Sequence, residues 1–409
     1  MTVPAFTIDA ASRRARCSPQ DPRVYANPYA FYTALHATCP TFWWEDYDMW
    51  CFTGFDDVNG LLRDKRFGRA PGLPERTERI ANWWETERYS LLALDPPDHT
   101  EMRALVNRAF LSRQIERLRP RIADLATELI DAFAATGCVD LLPTYAAPLP
   151  AIVIAEMIGL PRESAPELLA WSNEMVRMYM FGKNDAVEVA ADTAAAEFIA
   201  FVRSIIEQRR AAPTEDLLTH MLHAEIDGER LSDTEVIATT ILILNAGHEA
   251  TVHTTGNAVK TILEYALRTG TEPLDLFVGE AQTEATVEEC LRFDAPLHMF
   301  TRFALDDVQL ANGLTFAAGE QIGLMLGAAN RDPREFRSPD EFDPFRPDGA
   351  NVSFGAGIHF CIGAPLARLE LQTSLSLLFR RFPHMRQAGE ANYRNILHFH
   401  GLDQLPLAW

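Results

Sequence analysis

The sequence predicts one mainly α-helical domain with a small β region, and three observations carry that prediction. Helical periodicity dominates from about Thr100 to Arg292. A proline-free run of helix formers extends from Ser232 to about Arg268, roughly 37 residues or ~55 Å at the α-helical rise, enough to cross a whole domain. Arg302 to Gly327 instead alternates and carries Gly313 and Gly319, the pattern of short strands and turns. No repeat, low-complexity segment or linker interrupts the chain, so residues 1–409 are read as a single domain.

Taken in order, the first element to justify is the start of the chain. Met1 to Pro22 holds no apolar run, so neither a signal peptide nor a membrane anchor is expected, and a cytoplasmic location is. The long helix opens on Ser232-x-x-Glu235, a capping box. Within it, Val236 to Ala246 is the longest apolar stretch and is too short to span a bilayer. Ala329 to Gly357 is rich in Pro, Asp, Arg and Gly and reads as a long, ordered, irregular coil, which inside a compact chain is usually functional. Pro365 to Phe382 reads as a helix, with Pro365 in its first turn and Leu371, Leu375, Leu378, Phe379 and Phe382 on one face.

Composition narrows the function. Of 409 residues, 47% are hydrophobic and the formal net charge is −20. That permits a large core and argues against nucleic acid, whose phosphates need a basic surface. Cys17, Cys39, Cys51, Cys138, Cys290 and Cys361 form no C-x-x-C pair, so a zinc ribbon or thioredoxin-type motif is absent and reduced thiols are the simpler reading.

Phe354 to Gly363 reads F-G-A-G-I-H-F-C-I-G. Glycines let the backbone approach a ligand closely, and a cysteine just before a helix feels the positive end of its dipole, which favours the thiolate. The stretch resembles the heme-binding signature of the cytochrome P450 family, F-x-x-G-x-x-x-C-x-G, at Phe354, Gly357, Cys361 and Gly363. The resemblance extends over nearly the whole chain. It implies the single-domain, prism-shaped fold of that family, a bound heme b (iron protoporphyrin IX) and Cys361 as the axial ligand to the metal. An axial thiolate pushes electron density onto the iron and promotes O–O cleavage.

Further residues match the family's positions. His99 and Arg103, four apart in D-P-P-D-H-T-E-M-R, share a helix face. With Arg302 and His359 they are expected to hold the two heme propionates, while Phe354 and Gly355 pack beside the ring. Glu289 and Arg292 form E-x-x-R, and Arg346 in F-D-P-F-R-P is the expected third member of a structural cluster behind the cysteine loop. Alone, that pair would be read as a surface salt bridge of little worth.

The long helix contains A-G-H-E-A-T, Ala246 to Thr251. Ala246 and Gly247 leave room beside the backbone for a ligand. In the family the acid and the first threonine of [A/G]-G-x-[D/E]-T-T relay protons to the oxygen being activated. Glu249 is kept, but Ala250 replaces the threonine. Thr251 lies one position on, about 100° around the helix, and is a catalytic candidate beside Glu249; ordered water, with Glu249 and a substrate hydroxyl, is expected to complete the relay. His248 is assigned no chemistry.

Tyr89, Leu92, Leu297, His298, Phe300 and Phe399 occupy the family's pocket-lining stretches. Trp83, Trp84, Leu91 and His398 lie among them, and Met175, Met178, Met180 and Phe181 suit an adaptable lid. Core packing would account for each of these equally well. Basic residues gather at Arg63, Lys65, Arg66 and Arg69 and at Arg108, Arg113, Arg117, Arg119 and Arg121. They are either a solvated face or a docking patch for an acidic partner. The resemblance implies electrons from a separate ferredoxin and ferredoxin reductase, with no such domain expected to be fused to this one. The expected activity is insertion of one oxygen atom from O₂ into a small, mostly apolar molecule. The rivals are a hydrogen-peroxide-driven peroxygenase, which the missing threonine favours and Glu249 disfavours, and a non-catalytic recruitment module.

Overall fold

The computed structural model describes residues 4–109, 115–226, 228–347 and 349–409. Ten helices build and brace the site. They are α1 (Tyr29–Thr38), α2 (Ala81–Arg88), α3 (Asp98–Ala109), α4 (Arg119–Phe133), α5 (Pro148–Ile158), α6 (Ala165–Val176), α7 (Asp185–Ala211), α8 (Asp233–Thr269), α9 (Glu280–Phe293) and α10 (Ala364–Arg381).

The main sheet comprises β1 (Thr7–Asp9), β2 (Arg14–Arg16), β3 (Thr41–Trp44), β4 (Met49–Phe52), β5 (Phe67–Gly68), β6 (Phe300–Ala304) and β7 (Gln321–Leu324). Its spatial order is β1-β2-β3-β4-β7-β6-β5. The β2–β3 and β4–β7 pairs are parallel and the rest antiparallel.

Helix α8 runs 37 residues through the middle of the molecule. Both halves of the Ser232/Glu235 capping box form, and the helix ends at Gly270, whose φ of +74° an L side chain would resist. It is buried on nearly every side, packed by α5, α6, α7, α9 and α10, which is why its sequence is apolar without a clean amphipathic stripe. Helix α10 covers the predicted segment, and Leu371, Leu375, Leu378 and Phe379 are its buried face. Residues 330–356 form the predicted coil, with no helix or strand among those described.

The helical stretch from Thr100 onward is interrupted by a strand at Cys138–Asp140, which pairs with Pro406–Ala408 at the far end of the chain. A hairpin at Glu225–Ile226 and Glu229–Arg230 interrupts it again. Local periodicity carries no trace of the first pairing, because the partner lies in the last residues of the sequence. Among the described residues no helix is long and apolar enough to cross a membrane.

Candidate active site

The cysteine loop follows from one steric demand. At Gly357, φ is +70° and a Cβ would sit 2.6 Å from the Leu62 carbonyl oxygen. A side chain there would meet backbone that cannot swing aside. The turn Gly357–His359 leads to Cys361, whose N–H donates to the Phe354 carbonyl at 3.0 Å. Burial pushes the thiol up, while the N–H groups of Gly363 and Ala364 and the nearby Arg103 and Arg368 pull it back toward thiolate. Yet the side chain remains accessible. A group that is deeply placed and still reachable is part of an internal wall.

Cationic and imidazole groups converge beside it. His99 is 1% exposed, its Nε2 lacks a partner, and its ring lies 4.4 Å from that of His359, whose Nε2 is also unpartnered. Burial, then Arg302 and His99, push His359 down to about 3. Arg302 is buried with a single bond from Nη1 to the Thr301 carbonyl, and burial with repulsion from Arg69 pushes it down to about 9. Arg103 donates from Nη2 to the Phe360 carbonyl at 2.7 Å. Buried cations without carboxylates are costly unless an anion completes the site. A heme's two propionates are such anions, so the residues present fit the group.

Behind the loop, Glu289 is 2.7 and 2.8 Å from Arg292, and 3.3 and 3.4 Å from Arg346 Nε. Its Oε1 also accepts the Asp343 N–H at 2.8 Å. Arg292 donates to the carbonyls of Asn330, Pro339 and Glu341. Asn330 in turn holds Ser353 at 2.7 Å and the Val352 N–H at 2.8 Å. Arg368 lies 4.5 Å over the Phe354 ring and is paired with Glu288. The sequence of contacts α9, coil, Phe354, Cys361 is unbroken.

On α8, Ala246 is exposed and Leu242, Gly247 and Ala250 are half-buried, although the helix around them is buried. Residues four apart share a face, so Leu242, Ala246 and Ala250 line an internal space. A Cβ on Gly247 would meet only the Ile154 side-chain tip, at 2.8 Å. Thr251, named with Glu249 as a catalytic candidate, is off this face. It is 5% exposed and its hydroxyl is spent on the Gly247 carbonyl at 2.8 Å. Glu249 is ionised and tied to Arg394 Nη1 at 2.6 Å and to His253 at 3.1 Å. Those partners hold it down at about 2 against the cost of burial. His248 is buried, with both ring nitrogens unpartnered and its pKa pushed down to about 4 by burial.

Leu297 and Phe399 form an isolated bridge, and the Phe300 ring lies against Gly355. Tyr89 is half-buried under Arg88, and Leu92 is exposed. His298, expected to line the pocket, is instead fully buried. Alternation along the chain turns it away from Leu297, so it packs among Tyr32, at 2.8 Å, and His400, 4.6 Å between rings. Trp83, Leu91, Met175 and Met178 are core residues. Arg66, Arg119 and Arg121 are paired with Asp64, Glu116 and Glu156, and Arg113 lies outside the described residues.

Sequence reasoning missed three residues. Arg394 lies 145 positions from Glu249, beyond any local signal. His253 stands at i+4 from Glu249 and could have been found by that spacing. Arg69, grouped with surface cations, is instead packed beside Arg302.

The sequence profile described as Cytochrome P450 matches residues 282–396. The chain is 33% identical over 386 residues to the biotin biosynthesis cytochrome P450 of Bacillus subtilis, covering 94% of this chain and 96% of that one. It is 35% identical to vitamin D(3) 25-hydroxylase of Pseudonocardia autotrophica, covering 94% of each. A crystal structure of P450BioI with a hexadec-9Z-enoic acid-ligated acyl carrier protein superposes with a TM-score of 0.88 at 32% identity, covering 95% of this chain and 100% of that one. Matches of this identity and coverage run through the cysteine loop and the long helix alike, and the chain belongs to the cytochrome P450 family of heme-thiolate monooxygenases.

Proposed function

We propose that the chain inserts one oxygen atom from O₂ into a small, mostly apolar organic substrate, with heme b as cofactor and a separate ferredoxin as electron donor. When bound, the heme supplies oxygen activation. Cys361 ligates it, with the Gly363 and Ala364 N–H groups holding the thiolate. His99, Arg103, Arg302 and His359 receive the propionates. Leu297, Phe300 and Phe399 close an apolar space over the accessible face of α8 and keep bulk water from it. The chain works as one domain, a reading supported by a core cluster that runs from Ile80 to Leu407. The observation that carries the proposal is the gathering, beside the reachable Cys361 sulfur, of unpartnered imidazoles and of Arg103 and Arg302, which have no carboxylate bonded to them among the described residues.

The test is an absorption spectrum of the purified protein, reduced and exposed to CO, followed by titration with terpenoids, fatty acids, aromatic acids and macrolides. A thiolate-type CO band and a low- to high-spin shift with one class support the proposal. Absence of any heme band after reconstitution overturns it. A second reading, peroxide-driven oxygenation, is favoured by one observation: Ala250 leaves the accessible face of α8 without a hydroxyl. Product formed with hydrogen peroxide and no reductase, faster than with ferredoxin and reductase, would select it.

A further inference from the structure

We infer that the substrate carries a carboxylate and that Arg69 receives it, an inference that rests on the monooxygenase reading above. Arg69 follows the edge strand β5. Its Nε donates to the Leu92 carbonyl and its Nη1 to the Thr301 carbonyl at 2.9 Å. Those two bonds fix the guanidinium plane and leave Nη2 undirected toward any carboxylate among the described residues. Asp95, the nearest acid in sequence on this wall, is spent on the backbone N–H groups of Arg69 and Ala70 at 2.8–2.9 Å.

Arg302 shares the Thr301 carbonyl, but the two guanidinium groups face different surroundings. Both feel Asp95 and both act on His359, but Tyr179, Glu87 and His398 feel the charge of Arg69 and not that of Arg302. Tyr179 follows α6, Glu87 ends α2 and His398 precedes Phe399, so Arg69 looks toward the roof and the pocket wall. Tyr179 is 38% exposed and His398 half-buried, although burial dominates the titration of both. They therefore border the same kind of internal space as Cys361. Glu87 compensates Arg69 only in part, because burial holds it up at about 7 and no hydrogen bond joins the two side chains among the described residues.

A pinned guanidinium with a free edge, set in a largely apolar enclosure, recognises a carboxylate through charge-assisted hydrogen bonds. An apolar chain attached to that carboxylate would then extend across Leu297, Phe300 and Phe399. The class is an amphipathic monocarboxylic acid, anchored by its acid and oxidised along its apolar part.

The test uses the heme-loaded enzyme and its Arg69→Leu and Arg69→Lys variants. Decanoic, dodecanoic and tetradecanoic acids and their methyl esters are titrated by calorimetry and by heme spin state. The wild type should bind at least one acid ~10-fold or more tightly than its ester, the gain expected of a charge-assisted bond. Arg69→Leu should abolish that preference with heme content and CO band unchanged, and Arg69→Lys should restore part of it. Equal affinity for acid and ester in the wild type, or no binding of any acid, overturns the inference. Loss of heme in Arg69→Leu also overturns it, by placing Arg69 among the propionate partners. A wild type without a thiolate-type CO band would instead defeat the monooxygenase reading, a failure distinct from these.

Discussion

Two side chains on either side of the α10 N-terminus illustrate what a single residue's surroundings do to an acid. Cys361 lies where backbone N–H groups point at its sulfur. Replacing it by serine should leave the fold intact and remove the thiolate-type CO band, and a variant that kept the band would show that another residue ligates the iron. Glu370, inside α10, is 1% exposed with Oε1 unpartnered, and burial alone pushes its carboxyl up to about 8. The folded chain therefore holds a proton that the unfolded chain releases near the ordinary 4.5. Between those values stability falls as pH rises, by roughly 5 kcal/mol across the window. Glu370→Gln should flatten that fall, measured as urea unfolding free energy near the two ends of the window. Parallel pH slopes for variant and wild type would contradict the assignment. Cys361 was legible because its loop carries its chemistry in the local sequence. Glu370 was not, since its burial depends on which helices pack over α10.

Elements are joined by the Glu289 cluster, which ties α9 to the coil through Arg292, Arg346 and the Asp343 N–H. Glu289 lies between two buried guanidinium groups, those of Arg292 and Arg346, with side-chain exposures of 4%, 2% and 6%. Glu289→Gln keeps the shape but removes the carboxylate paired with buried Arg292, and breaking a buried pair costs ~3–5 kcal/mol. Because Asn330 and Ser353 connect the cluster to the cysteine loop, heme retention should fall with stability. Urea unfolding together with heme release to apomyoglobin measures both. A variant that is destabilised yet retains heme normally would separate the cluster from the loop. At this scale the sequence was informative where an element is self-contained, as in the capping box of α8 and the buried face of α10. It was silent where an element exists through a distant partner, as with Cys138–Asp140 against Pro406–Ala408.

Across the whole molecule, Arg394 in the C-terminal segment reaches Glu249 in the middle of α8. This contact changes what Glu249 is. Read from sequence it is an acid poised to pass protons, but in the fold it is a carboxylate held at about 2 by His253 and Arg394. The direction follows from those partners. Its folded pKa is depressed below the ordinary 4.5, so the stabilisation is fully present above 4.5 and is lost as pH falls toward 2, ~3 kcal/mol in all. Arg394 is the partner that could release it, since its side chain is 34% exposed while His253 is 1% exposed. Replacing Arg394 by leucine removes the guanidinium and leaves Glu249 buried beside His253 and His248, and desolvation should then raise its pKa. Two readings should move together. The acid limb of the stability profile should shift to higher pH. The pH profile of turnover, measured with a saturating surrogate reductant, should shift the same way, with a changed ratio of product to reductant consumed. Arg394→Lys, which keeps the charge, should restore most of both. A stability limb that moves while the turnover profile and the product ratio stay fixed would show that Glu249 braces α8 without serving proton delivery.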